Sequence, residues 1–322
     1  VRSRGRRGSF AAATFLCALV IPLGEAAAAS APPPSPLPWG ARGHGIAARA
    51  ALAHLPAGIP VFFREAADQL VYLNPEPDRW RSRELREMDD AWEYDHYIDL
   101  ENVPPGALDA RDRFEFIAAL YEAGIERPQQ TVGFLPWRIL ELTQRLTTEF
   151  AIWRNMDGDD PRRAHVEARI LNDAGILGHY ATDATQPHHT TIHFNGWAEG
   201  ASNPRGFTTD RGFHSRFESA FVEAHINDED VEPLLGSGMG VLDDPRAAIW
   251  EHVRASNAVV EEMYLLEQEY GFDPEAPAHP ETRSFVASRL ARGAEMLVSL
   301  WWTAWVQSEE LAALRRAQGW GQ

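Results

Sequence analysis

Apolar residues recur at intervals of three and four along most of this 322-residue chain, and that spacing restricts the fold more than any other feature. It is typical of amphipathic α-helices, whose 3.6-residue turn brings such positions onto one face. Strand signals are few, because β-branched clusters are short and no Asn-Gly hairpin lies between alternating apolar runs. We therefore predict an all-α fold, with a single compact multi-helix domain over residues 39–322. The predicted helices cover residues 44–55, 59–73, 113–125, 136–155, 163–184, 214–226, 245–270 and 281–316.

The first 38 residues have a different composition. Four arginines in the first seven residues precede an apolar stretch, residues 10–23, and the small-residue run AAAASA follows. A basic start, a short apolar stretch and an A-x-A-like site are typical of a secretory signal peptide, which we predict over residues 1–29. The alternative, a buried N-terminal core helix, is disfavoured by the four arginines. Residues 30–38 are then a Pro-rich linker or propeptide, and we expect a secreted or periplasmic protein.

The charge balance excludes one class of partner. Lysine is absent, and 30 basic residues face 47 acidic ones, which gives a formal net charge of −17 at pH 7. A duplex-DNA binder needs a basic surface that neutralises phosphates, so we expect no duplex-DNA binding. The chain also has no basic amphipathic helix that would suit an anionic lipid surface, and we expect no stable membrane insertion.

Five metal-capable side chains fall within forty residues, in the runs HYATDATQPHH and HSRFE. Each run contains a histidine followed four residues later by a carboxylate, and on a helix such residues share one face. Pro187 cannot continue a helix, so the chain should turn after Gln186 and bring the next histidine back to the same place. A single pair of this kind commonly decorates a solvated helix face, but two pairs and a linked histidine favour a metal site. The five residues are His179, Asp183, His189, His214 and Glu218.

Three more features precede these runs: WGARGH, with Trp39 five residues before His44, then Asp78 and Arg81 in PDRWR, and HYIDLENVPP, which begins at His96. Taken in order, the five motifs resemble those of the trinuclear-zinc superfamily that contains the zinc-dependent phospholipases C and the single-strand nucleases of the S1/P1 type. The resemblance extends from Trp39 to about Trp305. It implies the all-α fold of that superfamily, with three Zn²⁺ ions bound between helices.

The resemblance also implies which residues bind the ions. One zinc would be held by Asp78, His96 and His179, and Asp183 would bridge it to a neighbouring zinc. Trp39, through the free amine of a mature N-terminus, and His44 would complete that neighbour. The last zinc would be held by His189, His214 and Glu218.

These assignments have ordinary structural alternatives. Trp39 could be a core aromatic residue, and His44 a helix cap. Asp78 competes with other acids in the same loop, such as Asp89, Asp90 and Asp95. A third interpretation, in which bound metal only stabilises a non-enzymatic protein, is disfavoured by Arg81, because a structural site needs no phosphate-binding arginine.

The catalytic chemistry of such a site is phosphodiester hydrolysis. Cations about 3.5–4 Å apart can activate a water for attack on phosphorus, so no side-chain general base is required. The resemblance therefore implies a catalytic role for the bridging Asp183, and for Arg81, whose planar guanidinium suits two phosphate oxygens.

The substrate remains open between two classes. The Trp-to-His spacing of WGARGH resembles the nucleases, in which residues at the positions of Tyr97 and Asp99 stack on a base and bind its edge. Glu218 in place of an aspartate instead resembles the phospholipases. We predict a secreted zinc phosphodiesterase that acts as an endonuclease on single-stranded nucleic acid or nucleotides, with 3′-nucleotidase activity left open. The alternative is a zinc-dependent phospholipase C that hydrolyses phosphatidylcholine-type phospholipid.

Overall fold

The computed structural model describes residues 39–82 and 84–319. The predicted signal peptide (1–29) and linker (30–38) therefore lie outside the described residues, as do Arg83 and residues 320–322. The described part of the chain is mostly helical and contains two isolated β-bridges but no β-strand. This confirms the predicted all-α class and the single compact domain.

The α-helices are α1 (Gly40–Ala53), α2 (Val61–Glu65), α3 (Ala67–Leu73), α4 (Glu76–Arg79), α5 (Arg86–Trp92), α6 (Arg113–Glu122), α7 (Pro128–Thr131), α8 (Leu135–Arg154), α9 (Arg163–Asp183), α10 (Phe213–Ser215), α11 (Val222–His225), α12 (Asp228–Val231), α13 (Pro245–Asn257), α14 (Val260–Glu269) and α15 (Pro280–Ala317). Short 3₁₀ turns cover Glu93–Asp95, Leu100–Asn102, Pro105–Asp109, Pro187–Thr190 and Glu232–Leu234. A π-helical turn, Arg216–Phe221, joins α10 to α11.

The centre of the domain is formed by α1, α8, α9 and α15, which pack on one another. Their facing positions are apolar and fully buried, as in Ile46, Leu146, Leu177 and Leu297. Trp301 is also buried, and its indole nitrogen donates to the carbonyl of Ala174 at 3.1 Å. Burial of this apolar surface drives the assembly of the four helices and gives a rigid frame for the residues between them.

Two glycines let the segment after α3 lie directly against α9. A Cβ at Gly175 would be 2.4 Å from the Cβ of Leu73, and one at Gly178 would be 2.3 Å from the side-chain nitrogen of Asn74. Any larger residue would push the two segments apart. The close approach brings α4, and with it Asp78, to the last turns of α9.

The helix boundaries depart from the sequence prediction in several regions. Residues 59–73 are divided at Ala66, and residues 245–270 are divided at 258–259. Apolar spacing does not reveal breaks of one or two residues. Residues 74–112, which lie between two predicted helices, contain α4 and α5. Pro75 and Pro77 occupy the cap and first turn of α4, where a missing N–H leaves no hydrogen bond unmade.

No helix in the described ranges combines the length and hydropathy needed to cross a membrane.

Candidate metal centre

The last turns of α9 carry the two residues around which the site is arranged, His179 and Asp183. They are one turn apart, both fully buried, and the imidazole Nε2 lies 3.1 Å from Oδ2 of the carboxylate. The helix ends immediately afterwards. The side chain of Gln186 then accepts from the backbone N–H of His188, which fixes the turn that precedes His189. The predicted turn at Pro187 is confirmed.

A first group combines Asp78 from α4, His96 from the 3₁₀ turn after α5, and His179. Their ligand atoms all lie within 4.8 Å of one another. Nε2 of His179 is 3.0 Å from Nδ1 of His96, and Oδ1 of Asp78 is 3.8 and 3.9 Å from these two nitrogens. The three side chains thus surround one small volume from three separate elements.

A second group shares His179 with the first. His44 from α1 stacks on His179 with ring centroids 4.1 Å apart, and its Nε2 lies 3.5 Å from Oδ1 of Asp183. The other oxygen of Asp183 lies 3.1 Å from Nδ1 of His96. The two oxygens of this one carboxylate therefore face two adjacent groups, which is the arrangement that a bridging ligand needs.

The third group is formed by His189, His214 and Glu218. The two imidazole Nε2 atoms are 3.2 Å apart, and Oε2 of Glu218 is 2.8 Å from His214 and 3.5 Å from His189. Nδ1 of His189 also lies 3.4 Å from Oδ1 of Asp183, so this group adjoins the other two. The pair at i and i+4 meets as predicted, although the helix from α10 continues as a π-helical turn.

Many polar atoms of the three groups have no hydrogen-bond partner in the described part of the chain. They include both imidazole nitrogens of His44, both carboxylate oxygens of Asp78, Nε2 of His96 and Oε1 of Glu218. Buried polar atoms in folded proteins are nearly always hydrogen-bonded, and leaving one unpaired is unfavourable by roughly 1–3 kcal/mol. Imidazole nitrogens and carboxylate oxygens grouped in this way fit a divalent cation such as zinc.

The protonation states also suit cation binding. Burial lowers the pKa of His44 well below its usual value and that of His96 to about 3, so both rings are neutral and keep a lone pair. Burial alone would raise the pKa values of Asp183 and Glu218, but neighbouring histidines lower both, so both carboxylates are ionised. Burial also opposes the charged form of His179, yet the adjacent carboxylates raise its pKa.

Trp39 lies beside the third group. Its side chain is fully buried, its indole nitrogen donates to the carbonyl of Thr182 at 3.2 Å, and its backbone nitrogen donates to Oε2 of Glu218 at 3.0 Å. While Trp39 follows Pro38 in the chain this nitrogen is an amide donor, so ligation through a free amine stays a prediction. The alternative interpretation, that Trp39 is a core aromatic residue, agrees with the full burial of its side chain.

Arg81 lies at the edge of the first group. Its side chain is 22 % exposed, and one terminal nitrogen lies 3.6 Å from Oε1 of Glu93. Burial raises the pKa of Asp78 to about 7, and Arg81 is among the charges that oppose this rise. The positive charge of Arg81 therefore acts on the first group.

Tyr97 and Asp99 follow His96 on the same segment. The Tyr97 hydroxyl donates to the carbonyl of Gln130 at 2.8 Å, so the ring is held at a fixed position, half-buried. Asp99 is 7 % exposed and its Oδ1 has no hydrogen-bond partner in the described chain. Burial, and to a smaller extent Glu101, raises the pKa of Asp99 to about 7. Both residues are near the first group, and their predicted contacts with a base remain predictions.

Two supporting features were not predicted from the sequence. The side-chain amide of Gln186 donates to Oε2 of Glu218 at 3.0 Å, and the Gln-Pro dipeptide in the first metal run was the available signal. The second is an ion network beside His96. Asp95 is 1 % exposed, and its oxygens lie 2.6 Å from nitrogens of Arg113 and Arg138, both of which also pair with Glu141.

Comparison with models of known protein families gives no match, and no curated protein matches the chain.

Proposed function

We propose that this protein is a zinc-dependent phosphodiesterase of the phospholipase C and single-strand nuclease superfamily. In this proposal the protein is secreted or periplasmic and hydrolyses single-stranded nucleic acid. The observation that carries the proposal is the set of three adjoining groups of buried histidines and carboxylates, joined through Asp183 and His179. A structural zinc site is a closed set of four ligands, whereas these three groups adjoin one another, two of them share His179, and Arg81 lies beside them.

In this proposal each group holds one cation. Asp78, His96 and His179 hold the first, His44 and Asp183 the second together with Trp39, and the third group holds the last. When bound, zinc would polarise the phosphodiester and activate water for attack on phosphorus. His44 and His96 keep neutral rings that can bind the ions, and the carboxylates offset the positive charge in the buried volume.

The residues at the edge of the first group would bind the substrate. Arg81 presents a planar cation to the phosphate oxygens. Tyr97 presents a held aromatic ring, and single-stranded bases stack on such rings regardless of sequence. The net charge of −17 disfavours a long duplex, so we propose short or single-stranded substrates.

A second candidate is phospholipase C activity. It is favoured by Glu218, whose glutamate side chain completes the third group where the nucleases of the superfamily have aspartate. Because both carboxylates are competent zinc ligands, this observation weighs less than Tyr97 and Asp99 do for nucleic acid.

The test uses purified protein loaded with zinc and three substrates: single-stranded DNA and RNA, duplex DNA, and phosphatidylcholine vesicles. Native intact-mass analysis counts the ions in the same preparation. We expect three zinc ions and cleavage of the single strands in preference to the duplex. Cleavage of phosphatidylcholine with the nucleic acids left intact would instead establish the second candidate.

His179→Ala and His165→Ala form a matched pair for this test, because both histidines lie on α9 but His165 is exposed. We expect the first variant to lose zinc and turnover while circular dichroism shows a retained fold. The second should behave as the unmodified protein. Zinc-loaded protein that cleaves none of the three substrates would contradict the proposed function.

A further inference from the structure

Gln186 lies in the turn between α9 and His189, and its side chain is fully buried. Its carboxamide oxygen accepts from the backbone N–H of His188 at 3.0 Å. The carboxamide nitrogen therefore points in the opposite direction, and it donates to Oε2 of Glu218, also at 3.0 Å. The two hydrogen bonds fix the orientation of the amide and join the turn to the π-helical segment that carries Glu218.

The turn that Gln186 holds is connected to every member of the third group. His189 belongs to the turn and is itself one of the three residues. Glu218 accepts from Gln186, and the ring of His188 lies against that of His214, with the ring centroids 4.8 Å apart. The relative positions of the three side chains therefore depend on one short turn.

The same turn also packs on the segment that carries the other two members. His188 is buried, and its ring meets those of Phe213 and Phe217 edge-on, with centroids 4.8 and 5.4 Å apart. These phenylalanines directly precede His214 and Glu218 in the chain. A shift of the turn would thus be transmitted to both ligands through packed rings.

The ligands of a metal ion have to be held more closely than their own torsions allow. The terminal torsions of histidine and glutamate side chains are broad, so neither residue type keeps a single angle by itself. In metal sites a second layer of residues therefore orients the ligands, and a ligating carboxylate normally accepts a hydrogen bond from that layer. The amide of Gln186 gives Glu218 such a hydrogen bond.

We propose that Gln186 is a positioning residue for the ion of the third group. Its amide holds the Glu218 carboxylate in the place from which it binds zinc, and it fixes the turn that presents His189. The proposal rests on the metal centre of the proposed function, and it names a residue outside the three groups on which one particular ion depends. The ions of the other two groups should depend on it much less, because the measured hydrogen bonds of its carboxamide within the described residues go to His188 and Glu218.

The test removes the amide and measures how tightly each ion is held. Gln186→Met has a similar length but no amide. Zinc-loaded protein is equilibrated with increasing concentrations of a competing chelator, and native mass spectrometry counts the ions that remain. Thr190→Val is the matched control, because Thr190 is fully buried in the same turn and its hydroxyl donates to the carbonyl of Pro187 at 2.9 Å. This variant also loses a hydrogen bond of the turn, but one that does not involve Glu218.

A second variant separates the turn from the contact with Glu218. An asparagine side chain can also accept from the backbone N–H two residues further on, so Gln186→Asn should keep the hydrogen bond to His188. Its shorter side chain should not reach Glu218. If the contact with Glu218 is what matters, Gln186→Asn should weaken the same ion as Gln186→Met, with circular dichroism unchanged. Zinc binding in Gln186→Asn that equals the unmodified protein would overturn the proposal.

We expect Gln186→Met to raise the dissociation constant of one of the three zinc ions about 10- to 100-fold, and Thr190→Val to change none. Glu218→Gln identifies the ion, because it removes a ligand of the third group. With Co²⁺ in place of zinc, the absorption band that weakens in Glu218→Gln should be the one that weakens in Gln186→Met. Equal weakening of all three ions in Gln186→Met would overturn the proposal, as would the absence of a third ion in the unmodified protein.

Failure of this proposal and failure of the proposed function give different results. If Gln186→Met loses one ion selectively but the zinc-loaded unmodified protein cleaves no phosphodiester, the proposed function fails and the role of Gln186 stands. If the unmodified protein cleaves a single-stranded oligonucleotide but Gln186→Met holds all three ions as tightly, the function stands and the role of Gln186 is wrong.

Discussion

Two buried polar regions lie side by side in this protein, and they differ in whether their polar groups are paired with one another. In the network around Asp95 every charge has a partner, because two arginines and two carboxylates bind one another. In the metal centre the carboxylates and imidazoles crowd together, and many of their atoms lack a hydrogen-bond partner in the described chain. The network takes its charged residues from α6, α8 and the 3₁₀ turn Glu93–Asp95, whereas most residues of the metal centre lie on α1, α4, α9 and the turn that follows α9.

The difference indicates what each region is for. A balanced network stabilises a particular arrangement of the chain and needs nothing from outside. A set of buried ligands with unpaired atoms has high free energy by itself, and a bound cation would lower it. Asp95 and His96 are consecutive residues. The ion network around Asp95 therefore fixes the backbone that carries His96, a residue of the metal centre.

The largest expected effect comes from removing the charge of Asp183, whose two carboxylate oxygens face two of the groups. Asp183→Asn should lower phosphodiesterase activity by roughly a thousandfold or more, because several kcal/mol of transition-state stabilisation by the cations would be lost. Zinc content by mass spectrometry and hydrolysis of a single-stranded oligonucleotide check this. Asp173→Asn is the control, since Asp173 is a buried carboxylate on the same helix that pairs with Arg145 at 2.8 Å. Equal zinc content in both variants would mean that Asp183 bridges nothing.

Removal of metal should come next. When the free zinc concentration is about 100 times the dissociation constant, binding at one site stabilises the folded state by about 2.7 kcal/mol. The contributions of the three groups to this stabilisation should add. Chelation should therefore lower the melting temperature in a zinc-concentration-dependent way, measured by calorimetry. Returning zinc, but not magnesium, should restore it, because imidazole-rich sites favour zinc. Equal melting temperatures with and without chelator would contradict the metal centre.

Breaking the balanced network should have a smaller effect, and one that does not depend on metal. Asp95→Asn leaves Arg113 and Arg138 with Glu141 as their remaining carboxylate. We expect the free energy of unfolding to fall by about 2–4 kcal/mol, as measured in urea. The loss should be the same with and without zinc, and Asp243→Asn, at an exposed loop position, should cause none. A loss found only in the presence of zinc would show that the two regions are not separate.

A third polar cluster, formed by Glu149 and Asp173, should give the smallest effect. Burial, with the nearby Asp173, raises the pKa of Glu149 to about 7. The folded state thus retains a proton that the unfolded state releases near pH 4.5, so the stabilisation is complete below that pH and is lost as the pH rises through 7. In the unmodified protein the free energy of unfolding should fall by about 1–2 kcal/mol between pH 5 and pH 8. In Glu149→Gln this fall should be absent. Urea unfolding at both pH values measures it. Glu310→Gln, at an exposed position of α15, should keep the loss, and a variant at Glu149 that also keeps it would contradict the assignment.

Much of the fold and part of the site follow from local spacing. A histidine and a carboxylate four residues apart share a helix face, so the contacts of His179 with Asp183 and of His214 with Glu218 could be predicted without knowing the fold. The turn at Pro187 followed from proline stereochemistry. The grouping of these pairs with His44, Asp78 and His96 came from the order of the motifs, and the structure brings them together.

The rest depends on tertiary packing that the sequence pattern does not contain. Segment 74–95 contains many acids, and nothing local distinguishes Glu93, which faces Arg81, from Glu87, which faces solvent. The π-helical turn that contains Glu218 could not be predicted either, because one extra residue in a turn leaves the apolar spacing nearly unchanged.

Because Trp39 is buried, labelling of the N-terminal amine can test whether the mature chain begins at this residue. Because the protein has no lysine, its only amine is the one at the N-terminus. In a form that begins at Trp39, that amine would belong to a fully buried residue and lie against the Glu218 carboxylate. Amine-reactive labels should then modify the folded protein hardly at all and the unfolded protein at a single position.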